Sequence, residues 1–244
     1  MKILKKTKNI ILDTLFPVSC LNCGQPDVWF CESCLNRIKP LSFQVCPKCE
    51  KILTESGKTC QWCKKDYPLK ALVVATKYKE ENVSKLVHLY KYNFITDLRI
   101  PLGEMMLRAL TKNDLPLPDI IVPVPLHPRR LRWRGFNQSQ LLGDFIAKNL
   151  TPGFEIPVVS DLLFRKRYTP PQMKTKDYAG RRENLADAFT VTDTEAHRIR
   201  NKRILLVDDI ATTGSTLIEC AKALKQKGAK EIFGAVIARQ EFND

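Results

Sequence analysis

The sequence has no long apolar run, no internal repeat and no low-complexity tract among its 244 residues. A helix that crosses a bilayer needs about 20 predominantly apolar residues, so we expect no transmembrane segment. Residues 2–16 carry four lysines among isoleucines and leucines, and no apolar run there exceeds three residues. The apolar core of a signal peptide is longer, so this stretch predicts an amphipathic helix. Such a helix would either dock on its own protein or contact a membrane surface or partner.

Acidic residues are scarce relative to basic ones. The chain has 26 Asp and Glu against 40 Lys and Arg, which gives a formal net charge of +14. The imbalance is strong over residues 127–182, where 12 Lys and Arg stand against four Asp and Glu. A chain this basic indicates an anionic partner, most often a nucleic acid or a phosphorylated ligand.

Eight of the nine cysteines form four Cys-x-x-Cys pairs near the start of the chain. Two such pairs make the tetrahedral four-sulfur site that Zn²⁺ prefers. Seven residues separate the first two pairs and ten separate the last two, so sequential pairing would give two compact structural zinc ribbons, although the spacing also allows interleaved pairing. The predicted ligands are Cys20, Cys23, Cys31 and Cys34 for one ion, and Cys46, Cys49, Cys60 and Cys63 for the other.

Other uses of paired cysteines fit this chain less well. A disulfide framework is typical of small secreted domains, and a thioredoxin-like site needs one pair rather than four. An iron–sulfur cluster also takes four thiolates, but strictly paired cysteines favour zinc. Residues 17–67 hold few large apolar side chains, so we expect this segment to need metal for folding. The ninth cysteine, Cys220, stands at helical spacing in an apolar pattern and is expected in the core.

After Pro68 the pattern alternates between strands and helices. The expected strands are residues 71–78, 119–126, 203–209 and 231–239, with extended segments near 162–168 and 187–192. The expected helices are residues 82–92, 98–113 with an interruption at Pro101, 136–150, and 215–227 with Gly228 as a stop. Alternation of this kind predicts an α/β fold with a mostly parallel sheet flanked by helices. We therefore expect a zinc-ribbon domain with its N-terminal helix at 1–68 and an α/β domain at 69–244.

The most informative segment is RILLVDDIATTGSTL, residues 203–217. It combines a buried strand, two aspartates at the strand end, where α/β sheets bind ligands, and a small-residue loop before a helix. Asp208 and Asp209 can accept hydrogen bonds from two vicinal hydroxyls, whereas loop N–H groups and the helix start favour an anion. A plain Ser/Thr helix cap would leave the two carboxylates unexplained. The segment therefore predicts a sugar-phosphate site whose phosphate-binding residues are Ala211, Thr212, Thr213, Gly214, Ser215 and Thr216.

Two basic segments are candidates for neighbouring roles. Residues 127–137 are predicted to form a loop with arginines at 129, 130, 132 and 134, which either binds a pyrophosphate or is simply solvated. Trp133 and Phe136 would stack on nucleobases or anchor that loop in the core. Residues 165–182 are polar, basic and proline-containing, which predicts an exposed mobile loop that acts as a lid. The candidate lid residues, each of which could equally be plain surface, are Gln172, Arg181, Arg182 and Asn184.

Three patterns together resemble the ComF/ComFC family: the paired cysteines, VPVPLHPRR followed by RGFNQ (122–130 and 134–138), and VDDIATTGST (207–216). The last pattern also resembles the phosphoribosyl pyrophosphate (PRPP) signature of type I phosphoribosyltransferases. The resemblance implies a bacterial cytoplasmic protein of natural competence that joins zinc ribbons to a phosphoribosyltransferase-like domain. It also implies that Asp208 and Asp209 hold the ribose of PRPP, that the loop of residues 211–216 holds its 5-phosphate, and that Arg129 and Arg130 lie near its pyrophosphate.

Two functions remain open at this point. In the first, the protein handles DNA during uptake, binding PRPP and single-stranded DNA, with possible partners in the competence machinery at the inner membrane. In the second, it is a phosphoribosyltransferase in which a base or amine displaces pyrophosphate from C1 of PRPP. Asp208 and Asp209 would then be catalytic, and Mg²⁺ would be held on the pyrophosphate and the sugar hydroxyls. The sequence identifies no acceptor site.

Overall fold

The computed structural model describes residues 18–80, 82–166 and 188–239. The amphipathic helix predicted over residues 2–16 lies outside these ranges, as do the candidate lid residues Gln172, Arg181, Arg182 and Asn184. Among the described helices, none is both long and apolar enough to cross a bilayer.

The cysteine-rich segment contains only short elements. Helix α1 (Glu32–Arg37) begins directly after Cys31, strands β1 (Gln44–Val45) and β2 (Leu53–Thr54) form an antiparallel hairpin, and Glu55–Gly57 form a 3-10 turn. The buried side chains here include five of the cysteines, with Phe30 and Leu35 as the large apolar residues. A core this small supports the expectation that the segment needs metal to fold, which stays a prediction.

The rest of the chain alternates between strands and helices. The strands are β3 (Ala71–Lys77), β4 (Ile120–Pro123), β5 (Leu163–Arg165), β6 (Phe189–Val191), β7 (Arg203–Val207), β8 (Ile210–Ala211) and β9 (Glu231–Arg239). The helices are α2 (Val83–Tyr92), α3 (Arg99–Lys112), α4 (Pro128–Arg134), α5 (Gln138–Asn149) and α6 (Ser215–Gln226). A 3-10 turn (Thr96–Leu98) precedes α3 and another (Asp193–Arg198) follows β6.

The central sheet is parallel, in the order β3-β9-β7-β4, and β8 continues the pairing with β9 beyond the end of β7. Along β3, Ala71, Val73 and Ala75 belong to one apolar cluster, while Leu72 and Val74 belong to the other. Helices α2, α3 and α5 cover the first face, and α6 with the β5–β6 hairpin covers the second. Because both faces are covered, the strands are continuous apolar runs, and the predicted α/β fold is confirmed.

Two local predictions were wrong. The loop expected over residues 127–137 contains helix α4, which starts at Pro128 and ends at Gly135. Proline suits the first helical position, the His127 ring accepts a hydrogen bond from the Arg129 N–H, and Gly135 ends the helix at φ +80°. Pro101 does not interrupt α3 but lies in its first turn, where the backbone N–H groups have no partner within the helix.

The cysteine-rich segment covers the free edge of β3. The Gln44 side-chain amide forms two hydrogen bonds with the Val74 backbone. It accepts from the Val74 N–H at 3.1 Å and donates to the Val74 carbonyl at 2.9 Å. The Leu41 N–H donates to the carbonyl of Ala75 at 3.0 Å. Open sheet edges invite pairing with other chains, so these bonds protect the sheet as well as fixing the ribbons on it. A domain boundary near Pro68 stays a prediction.

Candidate functional site

The structure brings the eight paired cysteines together as two groups of four. Within each group the sulfur atoms lie within 4.8 Å of one another, and the Sγ atoms of Cys23 and Cys31 are 3.6 Å apart. Tetrahedral Zn²⁺ with bonds of about 2.3 Å needs sulfurs about 3.8 Å apart, so both groups fit the ion. The groups are residues 20, 23, 31 and 34, and residues 46, 49, 60 and 63. Sequential pairing is therefore confirmed over interleaved pairing.

Backbone N–H groups support the thiolates of both sites. The Cys31 N–H points at the Cys20 sulfur and the Cys60 N–H at the Cys46 sulfur, each at 3.4 Å. Such donors stabilise the negative charge on a metal-bound sulfur and fix its orientation. Because cysteine fills all four positions in each group, no position is left for a substrate, and the sites are structural.

Asp208 and Asp209 lie at the carboxyl end of β7, as predicted, and both are almost fully buried. Asp208 Oδ1 accepts hydrogen bonds from the Ser139 hydroxyl and from the Asp209 N–H, each at 2.9 Å. Asp209 Oδ1 accepts from the Ile210 N–H at 2.6 Å and pairs with Lys91 Nζ at 2.9 Å. The other oxygen, Asp209 Oδ2, is buried and has no hydrogen-bond partner among the described residues. A buried carboxylate oxygen without a partner is costly, which marks it as an acceptor for a ligand or a cation.

The two carboxylates and Lys91 share one electrostatic environment. Burial raises the pKa of Asp208 to about 7, and the charge of Asp209 adds to the rise, against the opposing effects of Lys91 and Ser139. For Lys91, burial alone would lower the pKa, but the charge and hydrogen bond of Asp209 raise it. Lys91 is therefore the counter-ion of the pair at neutral pH. Asp208, with a pKa of about 7, can gain or lose a proton at neutral pH.

The sequence interpretation missed Lys91 and Ser139. Lys91 stands four residues after the buried Val87 on α2, so a charge on the apolar side of that helix was the available signal. Ser139 reaches Asp208 because Asn137 caps α5 by accepting from the Ser139 N–H at 3.1 Å. Asn137 also donates to the Val124 carbonyl at 3.1 Å, which fixes the start of α5 beside the sheet.

The predicted phosphate loop connects β8 to α6. Gly214 lies just before the helix with φ +70°, a conformation that other residues rarely adopt. The Thr213 and Ser215 hydroxyls are 2.6 Å apart, Thr212 is half-buried, and Thr216 is the second residue of the 12-residue helix. The helix start thus directs its N–H groups and positive dipole end at the loop. That residues 211–216 bind a phosphate stays a prediction.

Arg239 connects the second zinc ribbon to this loop. It is paired in register with Ala211, and its guanidinium forms a salt bridge with Glu50, which follows Cys49. An Arg239 terminal nitrogen lies 3.8 Å from the position that a Cβ on Gly214 would occupy. One ion pair therefore links the Cys46–Cys49 turn to the rim of the phosphate loop. The pairing joins residues 189 positions apart, so no local sequence signal could have revealed it.

The predicted pyrophosphate residues both lie on α4, Arg129 exposed and Arg130 half-buried. Arg134, on the same helix, is buried and donates to the Gln138 side chain. Its guanidinium carbon lies 5.9 Å from the centroid of the Tyr92 ring. The idea of a wholly solvated basic segment is therefore wrong for Arg134, whereas a pyrophosphate role for Arg129 and Arg130 stays a prediction.

Fold and site together define a phosphoribosyltransferase-like protein that carries a double zinc ribbon. Residues 141–241 match the family model of the phosphoribosyl transferase domain, and residues 11–67 match that of the double zinc ribbon domain. The chain is 32% identical over 208 residues to competence protein F of Haemophilus influenzae, covering 83% of this chain and 86% of that protein. It therefore belongs to the ComF family, as its motifs indicated.

Two further relatives agree in length as well as in sequence. DNA utilization protein YhgH of Escherichia coli is 31% identical over 224 residues, 88% of this chain and 94% of that protein. Competence protein ComFC of Streptococcus pneumoniae is 27% identical over 235 residues, 88% of this chain and 97% of that protein. The similarity thus spans both the zinc ribbons and the α/β segment.

Proposed function

We propose that this ComF-type protein acts in the cytoplasm in DNA uptake or utilization, where it binds Mg²⁺·PRPP at the end of β7 and also binds single-stranded DNA. The PRPP part rests mainly on Asp209 Oδ2, which is buried, has no hydrogen-bond partner in the part of the chain that the structure describes, and precedes a loop that leads into a helix. The names of the relatives, which refer to competence and DNA utilization, support the DNA part.

The site offers a separate partner for each part of PRPP. Asp208 and Asp209 would accept hydrogen bonds from the two ribose hydroxyls. The loop of residues 211–216 would take the 5-phosphate at the start of α6. The α4 arginines would provide positive charge for the pyrophosphate. Mg²⁺ prefers oxygen ligands and keeps several waters, so the pyrophosphate and the sugar hydroxyls would hold it.

One observation favours turnover as a second function. Burial places the pKa of Asp208 at about 7, near the value that suits a general base at neutral pH. A base or amine would attack C1 of PRPP through nitrogen, the C1–O bond to pyrophosphate would break, and the nitrogen's proton would pass to Asp208. Release of pyrophosphate with a base, an amine or a nucleic acid as acceptor tests this function.

The binding proposal is tested by isothermal titration of Mg²⁺·PRPP into protein whose content of two zinc ions has been verified. We expect affinity in the micromolar range. Ribose 5-phosphate and inorganic pyrophosphate should each bind more weakly, because each fills only part of the site. A titration with no heat of binding for PRPP, repeated at several temperatures to avoid a vanishing enthalpy, would refute the proposal.

The affinity for Mg²⁺·PRPP should rise with pH up to about 7, because the pKa of Asp208 is raised to about 7. Below this pH the free site holds a proton on Asp208, and a ligand that needs the carboxylate must displace it. The loss is about tenfold in affinity for each pH unit below 7, with a plateau above. Titrations across this range measure the effect.

The Ser139→Ala variant is the matched control for that pH dependence. In the wild-type protein the Ser139 hydroxyl lowers the pKa of Asp208. Its removal should therefore shift the pH at which the affinity reaches its plateau to a higher value. The phosphate groups of the ligand titrate identically with both proteins. An unchanged pH at the start of the plateau would show that Asp208 is not the group responsible.

A further inference from the structure

An exposed aromatic cluster lies next to the carboxylate site. Trp133 on α4 is 60% exposed, and Tyr92 and Phe94, at and after the end of α2, are 41% and 39% exposed. The rings of Phe94 and Trp133 meet edge to face with centroids 5.1 Å apart. Large aromatic side chains exposed together are typical of interaction sites.

Two cations lie next to Tyr92. Tyr92 follows Lys91, whose ammonium is 2.9 Å from Asp209 Oδ1. The Arg134 guanidinium lies near the Tyr92 ring, and Arg134 is more than nine-tenths buried. The Arg134 Nε has no hydrogen-bond partner within the described residues. The exposed rings therefore adjoin two cations, one of which pairs with a carboxylate of the site.

Anchoring in the core accounts for two neighbouring aromatics, Tyr90 and Phe136. Tyr90 is fully buried and donates its hydroxyl to the Gln138 carbonyl at 2.9 Å. Phe136 is half-buried, with its centroid 5.9 Å from that of Tyr90. These two rings fasten the start of α5 to α2. Phe94 adjoins this packing, since its ring meets Phe136 edge to face with centroids 6.4 Å apart. Tyr92, Phe94 and Trp133 nevertheless all keep large exposed fractions.

The backbone of Phe94 supports a functional role. Its φ is +59°, in the left-handed region that bulky residues rarely occupy. Strained residues of this kind concentrate at binding sites, where surrounding structure holds them in place. The residue in this conformation carries a partly exposed ring that meets Trp133 edge to face.

We propose that Tyr92, Phe94 and Trp133 form a stacking site for a base of single-stranded DNA, beside the sugar-phosphate site. Bases stack on exposed aromatic rings in proteins that bind single strands, and nearby arginines meet the phosphates. Helix α4 supplies the charge, since it carries four arginines and no acidic residue. This inference rests on the proposed function, which names single-stranded DNA as a ligand. It adds the residues that contact the bases of that DNA.

The test compares two single-stranded ligands of equal length and charge, an oligothymidylate and an abasic oligonucleotide. The wild-type protein should bind the oligothymidylate more tightly. Phe94→Ala and Trp133→Ala should each lower that affinity roughly 5- to 100-fold, while leaving the affinity for the abasic strand unchanged. Phe154→Ala, which removes a ring that is 62% exposed outside the cluster, is the matched control and should change neither affinity.

Each outcome decides between the stacking site and the wider proposal. Equal binding of both strands by the wild-type protein, or unchanged oligothymidylate affinity in the two variants, overturns the stacking site alone. Failure of the wild-type protein to bind either strand overturns DNA binding as part of the proposed function too. Both variants should keep two zinc ions and bind Mg²⁺·PRPP, which shows that a loss of DNA affinity does not come from misfolding.

Discussion

Replacement of Cys46 by serine should remove one of the two zinc ions and unfold the second ribbon, while the first ribbon keeps its metal. Cys46 is fully buried and its sulfur accepts the Cys60 N–H. Structural zinc contributes roughly 10–16 kcal/mol to the folding of small domains at neutral pH. Few large apolar side chains in this ribbon could compensate for its loss, so we expect unfolding of the ribbon rather than loosening.

Unfolding of the second ribbon should also affect the α/β segment, because two contacts join them. Unfolding of the second ribbon removes Gln44 from the edge of β3, where it pairs with Val74. An uncovered edge strand promotes association between chains, so the variant should aggregate more readily. Arg239 would also lose Glu50, which removes a negative charge beside the predicted phosphate loop.

Zinc content and hydrogen exchange measure these effects. We expect one zinc ion per chain instead of two, with faster exchange in β1, β2 and β3 and little change in α1. Cys220→Ser, at a fully buried cysteine outside both groups, should keep both ions. Glu50→Gln should keep the second ribbon folded and remove only its ion pair with Arg239. A Cys46→Ser chain that retains two zinc ions would contradict the assignment of its ligands.

The Asp208→Asn/Asp209→Asn variant should lose measurable affinity for Mg²⁺·PRPP. It removes both charged acceptors of the ribose hydroxyls and leaves Lys91 without its counter-ion. A hydrogen bond to a charged group contributes about 1.5–3 kcal/mol, so loss of two such bonds predicts an affinity at least about 100-fold lower. Titration of Mg²⁺·PRPP into both proteins checks this expectation.

The variant is expected to fold, because asparagine keeps the shape of aspartate and the lost repulsion between two buried carboxylates offsets part of the cost of leaving Lys91 unpaired. Unchanged zinc content and a cooperative thermal transition would establish this. Asp161→Asn is the matched control, since Asp161 is an exposed carboxylate that pairs with Arg198 at 3.1 Å. It should bind Mg²⁺·PRPP like the wild-type protein. Equal affinity of all three proteins would show that the carboxylates at the end of β7 do not hold the ligand.

Features set by neighbouring residues were predictable from the sequence. The apolar run Ile204–Val207 predicted a strand covered on both faces, and the structure places it in the middle of the sheet. Four Cys-x-x-Cys pairs predicted two four-sulfur groups, because a tight turn places both sulfurs of a pair on one side. Helix α4 was missed, since arginines in a row suggested a loop. Its capping residues, His127, Pro128 and Gly135, carried the correct signal.

The sequence by itself determined most elements of the α/β segment, the eight metal ligands and the carboxylate pair at the end of β7, because each depends on residues a few positions apart. Only the tertiary structure decided which side chains meet that pair. Lys91 and Ser139 reach the aspartates from α2 and α5, and Glu50 reaches Arg239 from a zinc ribbon. These contacts join residues 69 to 189 positions apart. Their formation depends on how the helices and the ribbons pack on the sheet, which no local pattern encodes.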